Sequence, residues 1–318
     1  MEDYLVRYGI ALGRRYSQKQ KKKFLIAIGQ EFSQLGYPVK YANDEKKGSN
    51  HSIDLFIGNL AEADTIVCTH YDTGSHIIWP NYRYYPLYGE KTMKNYRNVT
   101  LIPAMVSTVL VIVMIYLAMY LLPLTGTAKP IFLAVSVFLG LLGISYLSTG
   151  FGNKYNLNKN TASILSMLEA ARQLSEEDRK NVAFVLLDHG TGDNMGAQMI
   201  RQALPTTMDK RLFVYLDCIG RGESIVIGHK TNLAINAKRL KDNYKGEKNI
   251  TLLECDAKRS TFTPTHFFTR AITITCGNFD ENEELFVDRI NTGKDNFVEP
   301  ENITEVANMI VRTYSKVK

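Results

Sequence analysis

Hydrophobic positions along this chain follow three different patterns. Over 5–35 they recur every three to four residues, the spacing of one helical face, and Gly36-Tyr37-Pro38 closes the run. At 182–187 and 212–216 they form short unbroken runs of strand length, typical of a sheet interior. From 99 to 149 they continue in two long tandem stretches divided by one charge, Lys129.

The remaining elements follow from the same reading. Segments 52–58 and 65–69 predict strands on either side of a turn at 59–64. Helix is expected over 162–174, strand over 224–228, a mostly polar helix over 230–243, strand over 271–275 and a closing helix over 300–316. Strands alternating with helices argue for an α/β fold, a mixed central sheet with helices on both faces. Ligands in such sheets gather beyond the carboxyl ends of strands. Three polar groups are expected there: Thr69-His70-Tyr71-Asp72, Asp188-His189 and Asp217.

The two long apolar stretches, 100–124 and 130–149, each reach the roughly 20 residues that a helix needs to span a bilayer. The connection over 125–128 is short, so the two helices form an antiparallel transmembrane hairpin in this reading. Tyr116, Tyr120 and Tyr146 lie in the second half of each span, and Ser136, Gly140 and Gly143 have helix-packing spacing. Lys91, Lys94 and Arg97 precede the hairpin and Lys154 and Lys159 follow it, against Lys129 alone at the tip. That asymmetry predicts a two-pass protein of the cell membrane with its soluble domain cytoplasmic. The chain then divides into 1–98 and 151–318, two parts of one soluble domain, and the hairpin insertion 99–150.

Composition changes this picture little. The net charge of +6 is modest and calls for no nucleic-acid partner. Lys19, Lys21, Lys22 and Lys23 read as a solvated helix face, or as a contact with an anionic leaflet. Cys68, Cys218 and Cys276 lie in apolar runs and read as reduced core residues, as a cytoplasmic domain requires; Cys255 shows no metal-type spacing with them. Segment 1–13 carries charges and no long apolar core, so no signal peptide is expected.

The polar groups at the strand ends resemble the di-zinc aminopeptidases, the twenty-eighth family of metallopeptidases. Thr69-His70-Tyr71-Asp72-Thr73 resembles the first metal motif, in which the His binds zinc and the Asp supports it. Lys159-Asn160-Thr161-Ala162-Ser163 leading to Met167-Leu168-Glu169 is similar to the Asp-Asn-x-Ser-Gly motif and its helix. Phe184 to Leu187 followed by Gly196-Ala197 resembles the strand that carries the catalytic Glu pair. Leu216-Asp217-Cys218-Ile219-Gly220 matches Leu-Asp-x-x-Gly, and Asn291-Thr292-Gly293-Lys294-Asp295 is similar to the final His-Thr-x-x-Asp.

Set beside that family, the chain departs where the chemistry lies. Lys159 falls at the carboxylate that bridges both zincs. His189 and its neighbours Gly190 and Thr191 fall at the catalytic Glu and its partner ligand. Asn291 falls at the last zinc His, and Ser260-Thr261, near a Ser-Asp of the family, restores no acid. A di-zinc hydrolase needs its shared anion and a carboxylate base. The resemblance therefore implies a vestigial site of His70, Asp72, Lys159, His189, Asp217 and Asn291. In it the Lys159 ammonium replaces the metal and neutralises Asp217, Asp72 or both. No cofactor is expected. If a metal were bound, its ligands would be His70, Asp217 and His189, and zinc would be the ion.

Three functions follow. The first is a membrane-anchored, catalytically inactive aminopeptidase-like protein whose cleft binds a peptide or protein partner, or serves as a scaffold. The second is an active metal-dependent aminopeptidase with an altered site. The third is an accessory subunit of a membrane transport complex, associated through its transmembrane helices.

Overall fold

A computed structural model describes residues 1–43, 51–79, 81–120, 127–204 and 207–315. Its apolar runs become the interior strands of one mixed sheet. In chain order the strands are β1 (Val39–Asn43), β2 (Ile53–Ile57), β3 (Thr65–His70), β4 (Arg83–Tyr84), β5 (Val182–Leu187), β6 (Leu212–Asp217), β7 (Ser224–His229), β8 (Asn249–Glu254), β9 (Ala271–Phe279) and β10 (Leu285–Asp288). Their spatial order is β1-β2-β5-β3-β6-β9-β10-β4, with β7 paired to β9 and β8 to β7. The central strands β5, β3, β6 and β9 are parallel, β1 is antiparallel to β2, β2 to β5, β10 to β9 and β7 to β9, and β8 is parallel to β7.

Side chains alternate across the sheet, as the two-residue repeat of a strand demands. Val67, Val214 and Leu216 face one core layer with Phe24, Leu168 and Ile310. Those residues belong to the helices Gln18–Gln34, Ala162–Gln173 and Pro300–Tyr314. Ile66, Cys68, Phe213 and Tyr215 face the opposite layer with Ala197 and Ile200 of the helix Met195–Ala203. The expected α/β sheet with helices on both faces is therefore present. Cys68, Cys218 and Cys276 are buried free thiols.

The chain departs from the expected elements in several places. The segment 5–35 is not one helix. A π-helical turn, Leu5–Ala11, ends before the helix Gln18–Gln34, which opens on a Ser17–Gln20 capping box. Gly13 lies in the break, where a Cβ would stand 2.1 Å from the Gly9 carbonyl oxygen. Lys21 is not on a solvated face. It shares the buried stripe of Phe24, Leu25, Ile28 and Phe32.

The insertion also differs. One continuous helix, Gly89–Tyr120, begins well before the apolar stretch, so the residues ahead of the span and the span itself are one rigid element. A second helix covers Ala128–Thr149. Among the described residues one helix, over Gly89–Leu117, is long and apolar enough to cross a membrane; the apolar stretch of the second, Pro130–Ser145, is shorter. The connection at 121–126, the side chain of Tyr146 and Lys316 lie outside the described residues. The two helices pack together: Ser107 and Ser136 are buried, and a Cβ on Gly140 would meet Val111 at 2.5 Å.

Candidate functional site at the strand carboxyl ends

Parallel register brings the first two site residues together. Cys68 of β3 is level with Tyr215 of β6, and two residues further along both strands come His70 and Asp217. Both are buried. Lys159 reaches the same point from a π-helical turn, Leu157–Thr161, that leads into the helix Ala162–Gln173. Asp295 positions this turn by accepting the backbone N–H of Asn158 at 2.8 Å and of Lys159 at 3.3 Å.

The Lys159 ammonium donates to Asp217 Oδ1 at 2.9 Å, with both side chains almost wholly buried. Tyr84 donates its hydroxyl to Asp217 Oδ2, and its ring lies 3.8 Å from the Lys159 nitrogen. Burial works against both charges. The Asp217 carboxylate nonetheless lifts the Lys159 pKa above its ordinary value, and Lys159, His70 and Tyr84 hold that of Asp217 below its own. The pair is ionised and closed on itself.

His70 bonds through Nδ1 to the Tyr215 hydroxyl at 2.7 Å. Burial and the nearby Lys159 charge press its pKa down to about 4, so the ring is neutral at pH 7. Asp72 does not join Lys159. It accepts the Gly190 N–H at 2.8 Å, the Thr191 N–H at 3.2 Å and the Thr191 hydroxyl. Burial opposes its ionisation, and His70, Lys21 and the Thr191 donors outweigh that and hold the carboxyl below its usual range.

Sequence reasoning gave no site role to several members of this network. Arg15 is fully buried and donates to the carbonyls of Tyr71 at 2.6 Å and Tyr8 at 2.9 Å, and to the side chains of Asn160 and Thr161. Lys21 forms a buried ion pair with Asp188, which also accepts from the Ile53 N–H at 3.1 Å. Asp54 accepts the Asp188 N–H at 2.8 Å, and burial raises its pKa well above its ordinary value. The cations Arg15, Lys21 and Lys159 thus lie among Asp72, Asp188 and Asp217. The capping box before Lys21 was the one local signal available; Tyr84 belongs to a two-residue strand with no periodicity to announce it.

His189 and Asn291 both have left-handed backbone, with φ of 56° and 55°. His189 Nδ1 faces Asp193 at 3.5 Å rather than Asp217. His70 Nε2, His189 Nε2 and Asn291 Oδ1 are buried with no hydrogen-bond partner among the described residues. Above the Lys159 pair is a cleft of about 210 Å³, lined by Tyr82, Tyr84, Met93, Tyr96, Phe262 and Asn291 among others. Met93 and Tyr96 come from the first turns of the Gly89–Tyr120 helix, which roofs the cleft.

No protein-family model matches the chain, and no curated protein matches it in sequence. Solved structures match in fold. A glutaminyl cyclase of Porphyromonas gingivalis superposes with a TM-score of 0.58 at 11% identity, covering 98% of this chain and 95% of that one. A Zn-dependent exopeptidase of Parabacteroides distasonis gives 0.57 at 11% identity over 96% and 94%. The LapA aminopeptidase of Legionella pneumophila gives 0.53 at 12% identity over 100% and 70%. The fold is that of zinc-dependent exopeptidases and glutaminyl cyclases. At these identities the likeness speaks for architecture alone.

Zinc does not fit the residues of this site. A catalytic zinc needs three protein ligands. Among the described residues no three of His, Cys, Asp and Glu are grouped to hold an ion. The ammonium of Lys159 already stands on Asp217, and the Asp72 oxygens are taken by Gly190 and Thr191. The arrangement supplies the buried Lys159 ammonium at the cleft floor and the unpartnered Asn291 Oδ1 in its lining, polar groups that can orient a ligand.

Proposed function

We propose that this chain is a membrane-tethered binding module on the aminopeptidase fold, without peptidase chemistry, whose cleft takes a peptide or protein end. The observation that carries this reading is the Lys159–Asp217 ion pair, 2.9 Å across, at the position of the bridging anion in the resembling family. A divalent ion about 4 Å from that ammonium would be repelled by about 8 kcal/mol at an effective dielectric of 20. Each oxygen of Asp72 and Asp217 also accepts a donor from the protein, so neither carboxylate faces the cleft as a free base.

The tether is the helix pair. Gly89–Leu117 has the length and hydropathy of a span, and its large apolar side chains, Val109, Ile112 and Tyr116 among them, face outward. The second helix packs on it and exposes Ile131, Phe138 and Leu141. Lys91, Lys94, Arg97 and Lys154 lie toward the soluble-domain end of the pair, a bias that supports a cytoplasmic soluble domain. The same outward apolar faces support a second reading, an accessory subunit of a membrane transport complex that pairs through these helices.

The test is metal analysis of the purified protein with and without Lys159→Asp. Wild type is expected to retain no stoichiometric zinc and to release no N-terminal residues from peptides when zinc is added. Lys159→Asp is expected to gain zinc, because a third carboxylate or imidazole ligand would then stand beside His70 and Asp217. Stoichiometric zinc in wild type, with aminopeptidase activity abolished by His70→Ala, overturns the reading.

A further inference from the structure

The loop after His70 returns to the foot of the helix pair. Ser75 forms a bridge with Gly152, the His76 N–H donates to the Phe151 carbonyl at 2.5 Å, and the Asn153 N–H donates to the Gly74 carbonyl at 2.9 Å. Phe151 follows the last helical residue, Thr149, by two positions. The loop is therefore held against the end of the second helix. Three large apolar side chains emerge there: Ile78 at 76% exposure, Phe151 at 57% and Trp79 at 47%. Tyr16, 39% exposed, abuts Gly152 beside them.

Scattered exposed apolar residues need no explanation, whereas a cluster continuous with a larger apolar surface does. This cluster begins two residues beyond the end of the helix Ala128–Thr149, whose large apolar side chains are exposed, and Trp79 and Tyr16 are the residue types that prefer the headgroup layer. Lys91, Lys94, Arg97 and Lys154 lie at the same level in sequence, next to the two helices. Headgroups occupy roughly 5–7 Å on each side of the hydrocarbon core. Phe151 is within about 7 Å of the helix end at extended spacing, so it cannot avoid that layer once the helices are inserted.

We infer that Ile78, Trp79 and Phe151 form a second membrane contact that seats the soluble domain on the phospholipid surface next to its own helices. This rests on the membrane reading above. The loop is rigidly joined to the cleft: the Ile77 N–H donates to the Asn291 carbonyl at 2.7 Å, and Gly74 packs on the Asn291 side chain. At 1.5 Å of rise per residue, Tyr96 is about 4.5 Å and Met93 about 9 Å along the helix from Val99, where the apolar stretch begins. Seating the loop holds the cleft mouth at headgroup level, so its occupant enters from the bilayer surface.

Trp79 is the chain's single tryptophan, so all tryptophan emission reports this contact. The full chain would be reconstituted in phosphatidylcholine–phosphatidylserine vesicles, with and without phospholipids brominated near the headgroup end of the acyl chain. Flotation with the vesicles reads the tether separately. The expected result is blue-shifted emission quenched about twofold by brominated lipid, as for a residue in the interfacial belt. Ile78→Asp with Phe151→Asp is expected to abolish most of the quenching and leave flotation unchanged. Water-like emission, or blue-shifted emission that brominated lipid does not quench, in protein that floats overturns the contact and leaves the tether standing. Failure to float overturns both.

Discussion

Lys159 and Asp217 come from segments far apart in the chain and meet as a buried ion pair 2.9 Å across, with Tyr84 donating to the second carboxylate oxygen. Removing one charge of a buried pair strands the other, which costs about 3–5 kcal/mol. Lys159→Met and Asp217→Asn are each expected to lower thermal stability sharply. The double variant is expected to recover part of the loss, with a coupling on the order of 2 kcal/mol. Thermal unfolding of the four proteins in one detergent checks this, and strictly additive losses would show that the two residues act independently.

Asp295 gives a pH dependence with a definite sign. Burial raises its pKa to about 7 from 3.8, against the donors from Asn158 and Lys159 that lower it. A carboxyl whose folded pKa lies above its unfolded one contributes stability that is complete below the unfolded value and is lost as pH rises through the folded value. Relative to Asp295→Asn, which keeps an acceptor oxygen and does not titrate, wild type should lose about 3 kcal/mol between pH 4 and pH 7. Unfolding measured on both proteins across that window isolates the difference. A constant gap between them would refute it.

The helix pair offers a contrast between two glycines. A Cβ on Gly140 would meet Val111 at 2.5 Å, while nothing lies within 4 Å of one on Gly143. Gly140→Leu should force the helices apart, at about 1–3 kcal/mol for overpacking, whereas Gly143→Ala should be neutral. Protease resistance of the helix pair in detergent reads both variants. Equal sensitivity would place the helix contact elsewhere.

Local pattern made a good part of this architecture legible. The span 182–187 reads as a strand and is β5 residue for residue, and 162–174 matches the helix Ala162–Gln173 within one position. Weaker elements escaped because they carry little pattern of their own. β1 is largely exposed, β4 has two residues, and β8 is half-buried. Lys21 reads as one of several solvated lysines until helical phase puts it on the stripe that faces Asp188. Of the six site residues, Lys159 and Asp217 pair, and His70 stands level with Asp217 at the strand ends. Asp72 turns to Gly190 and Thr191, and His189 faces Asp193.

The sequence alone determined which segments are strands or helices, where one long apolar stretch interrupts them, and which residues stand at the strand ends. Those properties depend on neighbours within a few positions, and the periods of 2 and 3.6 record them directly. Tertiary structure alone decided that Lys159 closes on Asp217 rather than Asp72. It also decided that Arg15 and Lys21 are buried counter-charges, and that the helix leading into the apolar stretch roofs the cleft. Charge pairing in a buried interior depends on ångström distances between segments 58 residues apart for Lys159 and Asp217 and 167 apart for Lys21 and Asp188, and linear pattern carries no such distances.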